Sequence, residues 1–241
     1  MHFHISQDVD SLSQALAEWI TGDIKKALAT QDTYTLVLSG GSTPKELYTL
    51  LAADPYRDGI DWGKIHVFWG DERYVPFGDE RNNGKMAYDA LLKKVPIPPG
   101  QIHYMDTGVP PEQSASQYEK ILHRYFDSRQ ETFDLVLLGM GDDGHTLSLF
   151  PGTPVIHEQK AWVKAPYVEK QHMHRITLTA PVVNKASTVV FLVAGGKKAD
   201  TLKQVTQGPP RPDLYPSQVI RPANGNLHWF IDEAAASLLA V

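Results

Sequence analysis

The chain of 241 residues contains no cysteine. That absence excludes a disulfide scaffold, thiolate-held zinc or iron–sulfur centres and thiol catalysis. It also permits a reducing cytoplasm, where the protein is expected. An excess of positive charge is missing as well: 23 Lys and Arg stand against 28 Asp and Glu, a formal net charge of −5. Binders of nucleic acid or of membrane surfaces ordinarily carry surplus cations, so neither partner is expected. Long apolar runs are lacking too. The longest uncharged stretches, such as residues 187–196, fall well short of the ~20 residues that a membrane-spanning helix needs. The N-terminus carries Asp8, Asp10 and Glu18 but no basic leader, so no secretory signal is expected. There is no fixed-period repeat and no low-complexity tract. The Pro-rich pieces at 95–100, 108–111 and 208–216 are short enough to be loops, which leaves one domain over residues 1–241.

What is present is an alternation. Leu12, Leu16, Trp19, Ile20, Ile24, Ala27 and Leu28 recur at three- and four-residue steps and predict an amphipathic first helix. Residues 34–38 form a short apolar run ending in Gly40 and Gly41, which reads as a buried strand, and helical spacing resumes after Thr43. Further strand-like runs lie at 65–69, 135–138, 176–178, 188–194 and 227–231, and helical patterns at 85–94, 113–129 and 198–205. Nearly continuous apolar strands separated by helices predict an α/β fold, a Rossmann-like, mostly parallel sheet with helices on both faces. Ligands of such sheets bind beyond the carboxyl ends of the strands, so the strand-to-helix turns are where chemistry is expected.

Three of these turns carry suitable residues. In the first, Ser39, Gly40, Gly41, Ser42 and Thr43 precede Pro44 and Glu46. Thr43 is a plausible N-cap, Pro44 suits the first helical position, and Glu46 would complete a capping box. Two glycines let the backbone approach a ligand, and free amides at a helix start bind anions. A tight turn into a well-capped helix is the plainer alternative. The second turn, Asp71-Glu72-Arg73, is either a solvated rim or a set of carboxylates beside a fixed cation. The third runs from Gly139 through Asp142, Asp143 and Gly144 to His145 and Thr146. A histidine in a Gly/Asp-rich turn at a strand end is badly placed for packing. A neighbouring carboxylate fixes its tautomer and raises its basicity, which makes a general base. Arg175 and the Lys197-Lys198 pair lie at other strand ends and could bring cations to a phosphate. The pairs His2/His4 and His172/His174 have no third ligand at a recognisable spacing, so no metal site is expected.

Taken in order, Ser39-Gly40-Gly41-Ser42-Thr43-Pro44, Gly70-Asp71-Glu72-Arg73, the segment Gly139-Met140-Gly141-Asp142-Asp143-Gly144-His145-Thr146-Leu147-Ser148-Leu149-Phe150-Pro151, and Gly195-Gly196-Lys197-Lys198-Ala199 resemble the 6-phosphogluconolactonases over nearly the whole chain. Tyr215-Pro216 and residues 227–232 resemble that family's ending. The resemblance implies hydrolysis of 6-phospho-D-glucono-1,5-lactone to 6-phospho-D-gluconate in the oxidative pentose phosphate pathway, with no cofactor and no metal. It implies His145 as the base that activates water, Asp143 as its orienter, and Arg73 as a substrate ligand that steadies the oxyanion. It further implies that Ser39, Gly40, Gly41, Ser42, Thr43, Arg175 and Lys198 hold the 6-phosphate, while Asp71 and Glu72 contact ring hydroxyls or tune His145. Where many members carry Ser-Asn-Tyr, Asn83 matches but Asn82 and Gly84 depart, as does Asp142, where Pro or Glu is common.

A strained ring ester needs a positioned water, a base and charge stabilisation, not a covalent nucleophile, and no Gly-x-Ser-x-Gly elbow is present. The alternatives are an enzyme of the glucosamine-6-phosphate deaminase type and a non-catalytic sugar-phosphate sensor. The deaminases typically read Asp-Glu-Tyr at the acidic turn and Phe-Asn-Glu-Pro after the histidine, whereas this chain has Asp71-Glu72-Arg73 and Leu147-Ser148-Leu149-Phe150-Pro151. A sensor would normally carry a DNA-binding helix-turn-helix, and this chain begins with a strand-like alternation at His2-Phe3-His4-Ile5. A monomer or a small homo-oligomer is expected.

Overall fold

A computed structural model describes residues 1–240. The chain opens with strand β1 (His2–Ser6) and helix α1 (Val9–Leu28). Asp8 and Ser11 cap α1 reciprocally, and its buried stripe is Leu12, Leu16, Ile20 and Ile24, the face expected from the spacing. Strand β2 (Tyr34–Leu38), α2 (Ser42–Leu51), the single turn α3 (Tyr56–Gly59) and β3 (Ile65–Trp69) follow. After them come β4 (Asp71–Arg73), α4 (Asn83–Ala90), α5 (Pro111–Phe126) and β5 (Leu135–Leu138). The second half holds β6 (Val163–Lys164), β7 (Tyr167–Val168), β8 (Met173–Leu178), α6 (Ala180–Val183) and β9 (Thr188–Val193). Helix α7 (Ala199–Gln207), β10 (Leu227–Asp232) and α8 (Glu233–Ala236) complete it.

Six strands form one parallel sheet in the order β1-β10-β9-β5-β2-β3. Every residue of β2, β5 and β9 is buried, so both faces of the sheet centre are covered. Nearly all the buried apolar residues form one cluster, in which Phe191 and Trp229 stack 4.1 Å apart on neighbouring strands. Connections run from β2 outward to β3 and from β5 outward through β9 to β10. The order therefore reverses between β2 and β5, and a crevice opens beyond the carboxyl ends at such a reversal.

Four local expectations are corrected. Residues 71–73 are a short strand, not a turn. Residues 176–178 belong to β8, which pairs antiparallel with β4 and β6 in a second sheet. Because Gly70 donates to Leu38 O and accepts from Leu178 N, that small sheet is hinged onto the carboxyl end of the large one. Helix α2 begins at Ser42 with Gly41 as its cap and no side-chain cap, so Thr43 is inside the first turn and the box with Glu46 does not form. Pro44 is tolerated there because the amides of a first turn have no helical partner. The pattern at 85–94 splits into α4, capped by Asn82, and a separate 3-10 turn at Leu92–Lys94.

Candidate active site

The crevice between β2 and β5 holds a cavity of about 220 Å³. Its lining includes Ser39, Gly40, Asp71, Arg73, Asn83, His145 and Arg175. A larger groove of about 640 Å³ between α5 and β6–β7 holds none of the candidate residues, and its walls are mostly apolar. Convergent polar groups, not size, mark the smaller cavity as the site.

Each wall has a local cause. Tyr48 on α2 reaches back under the first turn, where its hydroxyl donates to Ser39 O and accepts from Ser39 N, both at 2.8 Å. On the opposite side, Thr146 Oγ1 donates to Gly139 O at 2.8 Å and Gly141 N to His145 O at 2.8 Å, which folds the histidine turn back over the end of β5. Glycine at 141 is required: a Cβ there would sit 2.1 Å from His145 Nδ1. His145 Nδ1 lies 2.5 Å from Asp143 Oδ1, and the ring stacks on Phe150 at 4.1 Å. A carboxylate only accepts, so Nδ1 carries a proton, and in the neutral ring the lone pair is on Nε2. The hydrogen bond from His145 holds the Asp143 carboxyl down to about 2, so it is ionised across the working range.

The positive wall comes from the small sheet. Arg73 on β4 is directly opposite Arg175 on β8. Arg175 is only 5% exposed, its Nη1 is 3.8 Å from Asp71 Oδ2, and its Nη2 donates to Gln171. The Nε atoms of both arginines are buried without a partner among the described residues. Two like charges held side by side and half-satisfied are suited to an anion entering between them. Asp71 accepts from Ser148 Oγ at 2.7 Å and stays at the cavity wall.

The remaining expected residues are placed differently. Glu72 is corrected: it faces away from the cavity, 3% exposed, and accepts from the amides of Arg73, Asn83 and Gly84 at 2.7–2.8 Å. Burial pushes its carboxyl up to about 7 against the pull of those three amides. It thus ties down the start of α4 and contacts neither His145 nor open space. Strand alternation is the missed signal, because residues 71 and 73 of a strand share one face and 72 takes the other. Ser42 and Thr43 do not line the cavity; they stand in the first turn of α2, beyond Gly40 and Gly41. Lys198, in the turn after β9, does not line it either, and its Nζ is 2.5 Å from Asp142 Oδ1. Three residues were given no role from the sequence. Asn83 donates from Nδ2 to Asp71 O at 3.0 Å, Ser148 holds Asp71, and Gln171 holds Arg175. Among the described residues no group of three or more His, Asp or Glu side chains is arranged to hold a metal ion. No helix is long and apolar enough to cross a membrane.

Known proteins share this fold and much of this sequence. The family model described as glucosamine-6-phosphate isomerases/6-phosphogluconolactonase matches residues 7–229. A 6-phosphogluconolactonase of Synechocystis sp. is 43% identical, over 91% of this chain and 90% of that protein. One from Nostoc sp. is 42% identical over 97% and 96%. The solved structure of 6-phosphogluconolactonase from Trypanosoma cruzi superimposes with a TM-score of 0.87 at 28% identity, covering 100% of this chain and 97% of that one.

Proposed function

The chain belongs to the glucosamine-6-phosphate isomerase/6-phosphogluconolactonase family, and we propose that it hydrolyses 6-phospho-D-glucono-1,5-lactone through a water molecule activated by His145. The observation that carries the reading is the Asp143–His145 pair, set in the same cavity as two arginines. With its proton on Nδ1, His145 accepts a proton at Nε2 from the attacking water, and the ionised Asp143 stabilises the imidazolium that results. The carbonyl carbon becomes tetrahedral and its oxygen takes negative charge, which Arg73 offsets. Collapse breaks the bond to the ring oxygen, and the imidazolium returns its proton to that oxygen. The products are an open-chain hydroxyl and a carboxylic acid, which releases its proton to solvent and leaves as the carboxylate.

No covalent step is needed. The hydroxyls that follow the histidine in the chain are engaged elsewhere, Ser148 with Asp71 and Thr146 with Gly139 O. Asp71, at the cavity wall, is assigned to the ring hydroxyls. The 6-phosphate is assigned to Arg175, the turn of Ser39, Gly40 and Gly41 at the start of α2, and Lys198, which reaches it by leaving Asp142. We place the enzyme in the cytoplasm, as one domain, monomeric or a small homo-oligomer, with neither nucleic acid nor membrane as partner.

The test generates the lactone in place in a coupled assay and compares the wild type with His145→Ala. Hydrolysis by the variant is expected to fall to the spontaneous background while phosphate binding persists. Full activity in the variant, or deamination of glucosamine 6-phosphate by the wild type in place of lactone hydrolysis, would overturn the reading.

A further inference from the structure

We infer that Asp142 is an internal counterion of Lys198 which the phosphate of the substrate has to displace, and that it thereby sets how strongly the site prefers a phosphorylated lactone. The inference rests on the reading above that Lys198 meets the 6-phosphate.

The histidine turn carries two consecutive acids with separate partners. Asp143 turns to His145, and Asp142 turns to Lys198, 2.5 Å away. The two elements involved are neighbours, since β5, which ends in the histidine turn, pairs with β9, which leads to Lys198. The main chain of Asp142 is fixed independently, because its carbonyl accepts from Thr201 Oγ1 on α7 at 2.7 Å. Only its carboxylate therefore has to move. That carboxylate is 66% exposed, whereas the lysine is 23% exposed. The acid can swing into water, and the freed ammonium can then turn from it toward the cavity.

An exchange of this kind selects by charge. A carboxylate offers Lys198 one negative charge. A phosphate offers nearly two, spread over three acceptor oxygens, and so replaces it. A neutral lactone has nothing to offer the lysine and leaves the pair closed. Each anion that binds must also overcome repulsion from Asp142, which weakens capture of free inorganic phosphate. Asp142 is thus a specificity-determining residue that touches neither the lactone ring nor the attacking water.

The experiment titrates inorganic phosphate calorimetrically into the wild type, Asp142→Asn, Lys198→Ala and the double variant, with KM for the phosphorylated lactone measured alongside. Asp142→Asn is expected to tighten phosphate and to lower KM about two- to fivefold, the weight of one partly screened ion pair. The kcat/KM for unphosphorylated glucono-lactone is expected not to rise. In the Lys198→Ala background the same substitution is expected to bring no gain. An unchanged phosphate Kd in Asp142→Asn, or an equal gain without Lys198, overturns the inference. Tighter phosphate binding in a protein that turns over no lactone would leave the inference standing and overturn the proposed reaction.

Discussion

The side-chain oxygen of Asn83 occupies the place that a Cβ on Gly40 would need, 2.0 Å from where that carbon would stand. The carboxamide of Asn83 in turn donates to Asp71 O, so the first glycine turn, the start of α4 and the acidic strand are locked by one buried side chain. Gly40→Ala is expected to push Asn83 off Asp71, costing roughly 1–3 kcal/mol of stability as an overpacked site. It is expected to lower kcat/KM at least tenfold. Urea denaturation and the coupled lactone assay measure the two effects. An alanine variant with wild-type activity would show that the lock does not shape the cavity.

Asp143→Asn keeps the shape of the dyad and removes its charge. An amide can present its NH2 or its oxygen to Nδ1, and neither stabilises the imidazolium as a carboxylate does. We expect kcat to drop between about 10²- and 10⁴-fold, with KM changed little. Because Asp143 in the wild type stays ionised until about pH 2, any acid limb in kcat/KM at higher pH belongs to another group. The pH–rate profile checks this: a limb abolished in Asp143→Asn while the rate at neutral pH stays high would contradict the assignment.

Two histidines are expected to cost the fold stability in mild acid. His103 lies against His66, Tyr125 and Phe68, and Arg129 faces His66; His228 stacks with His2 and His4, beside Trp19 and the N-terminal amine. Burial first, then neighbouring cations, lowers both rings to about 4. A base with a depressed pKa in the folded state is charged earlier in the unfolded chain. Its contribution is thus fully present above the unfolded value of about 6.5 and is lost as pH falls toward 4. Screened by partial exposure, each ring is expected to account for about 1 kcal/mol over that window. Urea midpoints of the wild type and of His103→Gln/His228→Gln, taken at pH 7 and pH 4.5, measure it. The wild type should lose more than the double variant, and equal losses would rule these rings out.

How far the sequence could be read depended on which physics controlled each element. The runs at 34–38, 65–69 and 135–138 emerged as β2, β3 and β5 because strands buried on both faces must be apolar throughout, whatever surrounds them. The histidine turn was legible because a Gly/Asp-rich strand end has few packing uses. The second sheet was not, since β4 is three residues long and exists only through its ladder with β8, about a hundred residues away. Glu72 misled for the same reason: two adjacent acids read alike until strand alternation sends one inward. The cap of α2 failed as a local rule because the helix starts earlier than the spacing suggested: its cap is Gly41, which has no side chain, and Pro44 in the first turn has no N–H to offer a capping oxygen. The pairing of Asp142 with Lys198 depends on which strands are neighbours, and that information is global.

The ladder between β2 and β5 joins residues such as Leu36 and Leu135, with β3, α4 and α5 lying between them in the chain. Closing so long a loop is slow, and the cavity does not exist until it closes. Catalytic activity is therefore expected to return late in refolding, after most helical signal has recovered. A nascent chain released before residue 135 would carry the first glycine turn and Arg73 yet have no site at all.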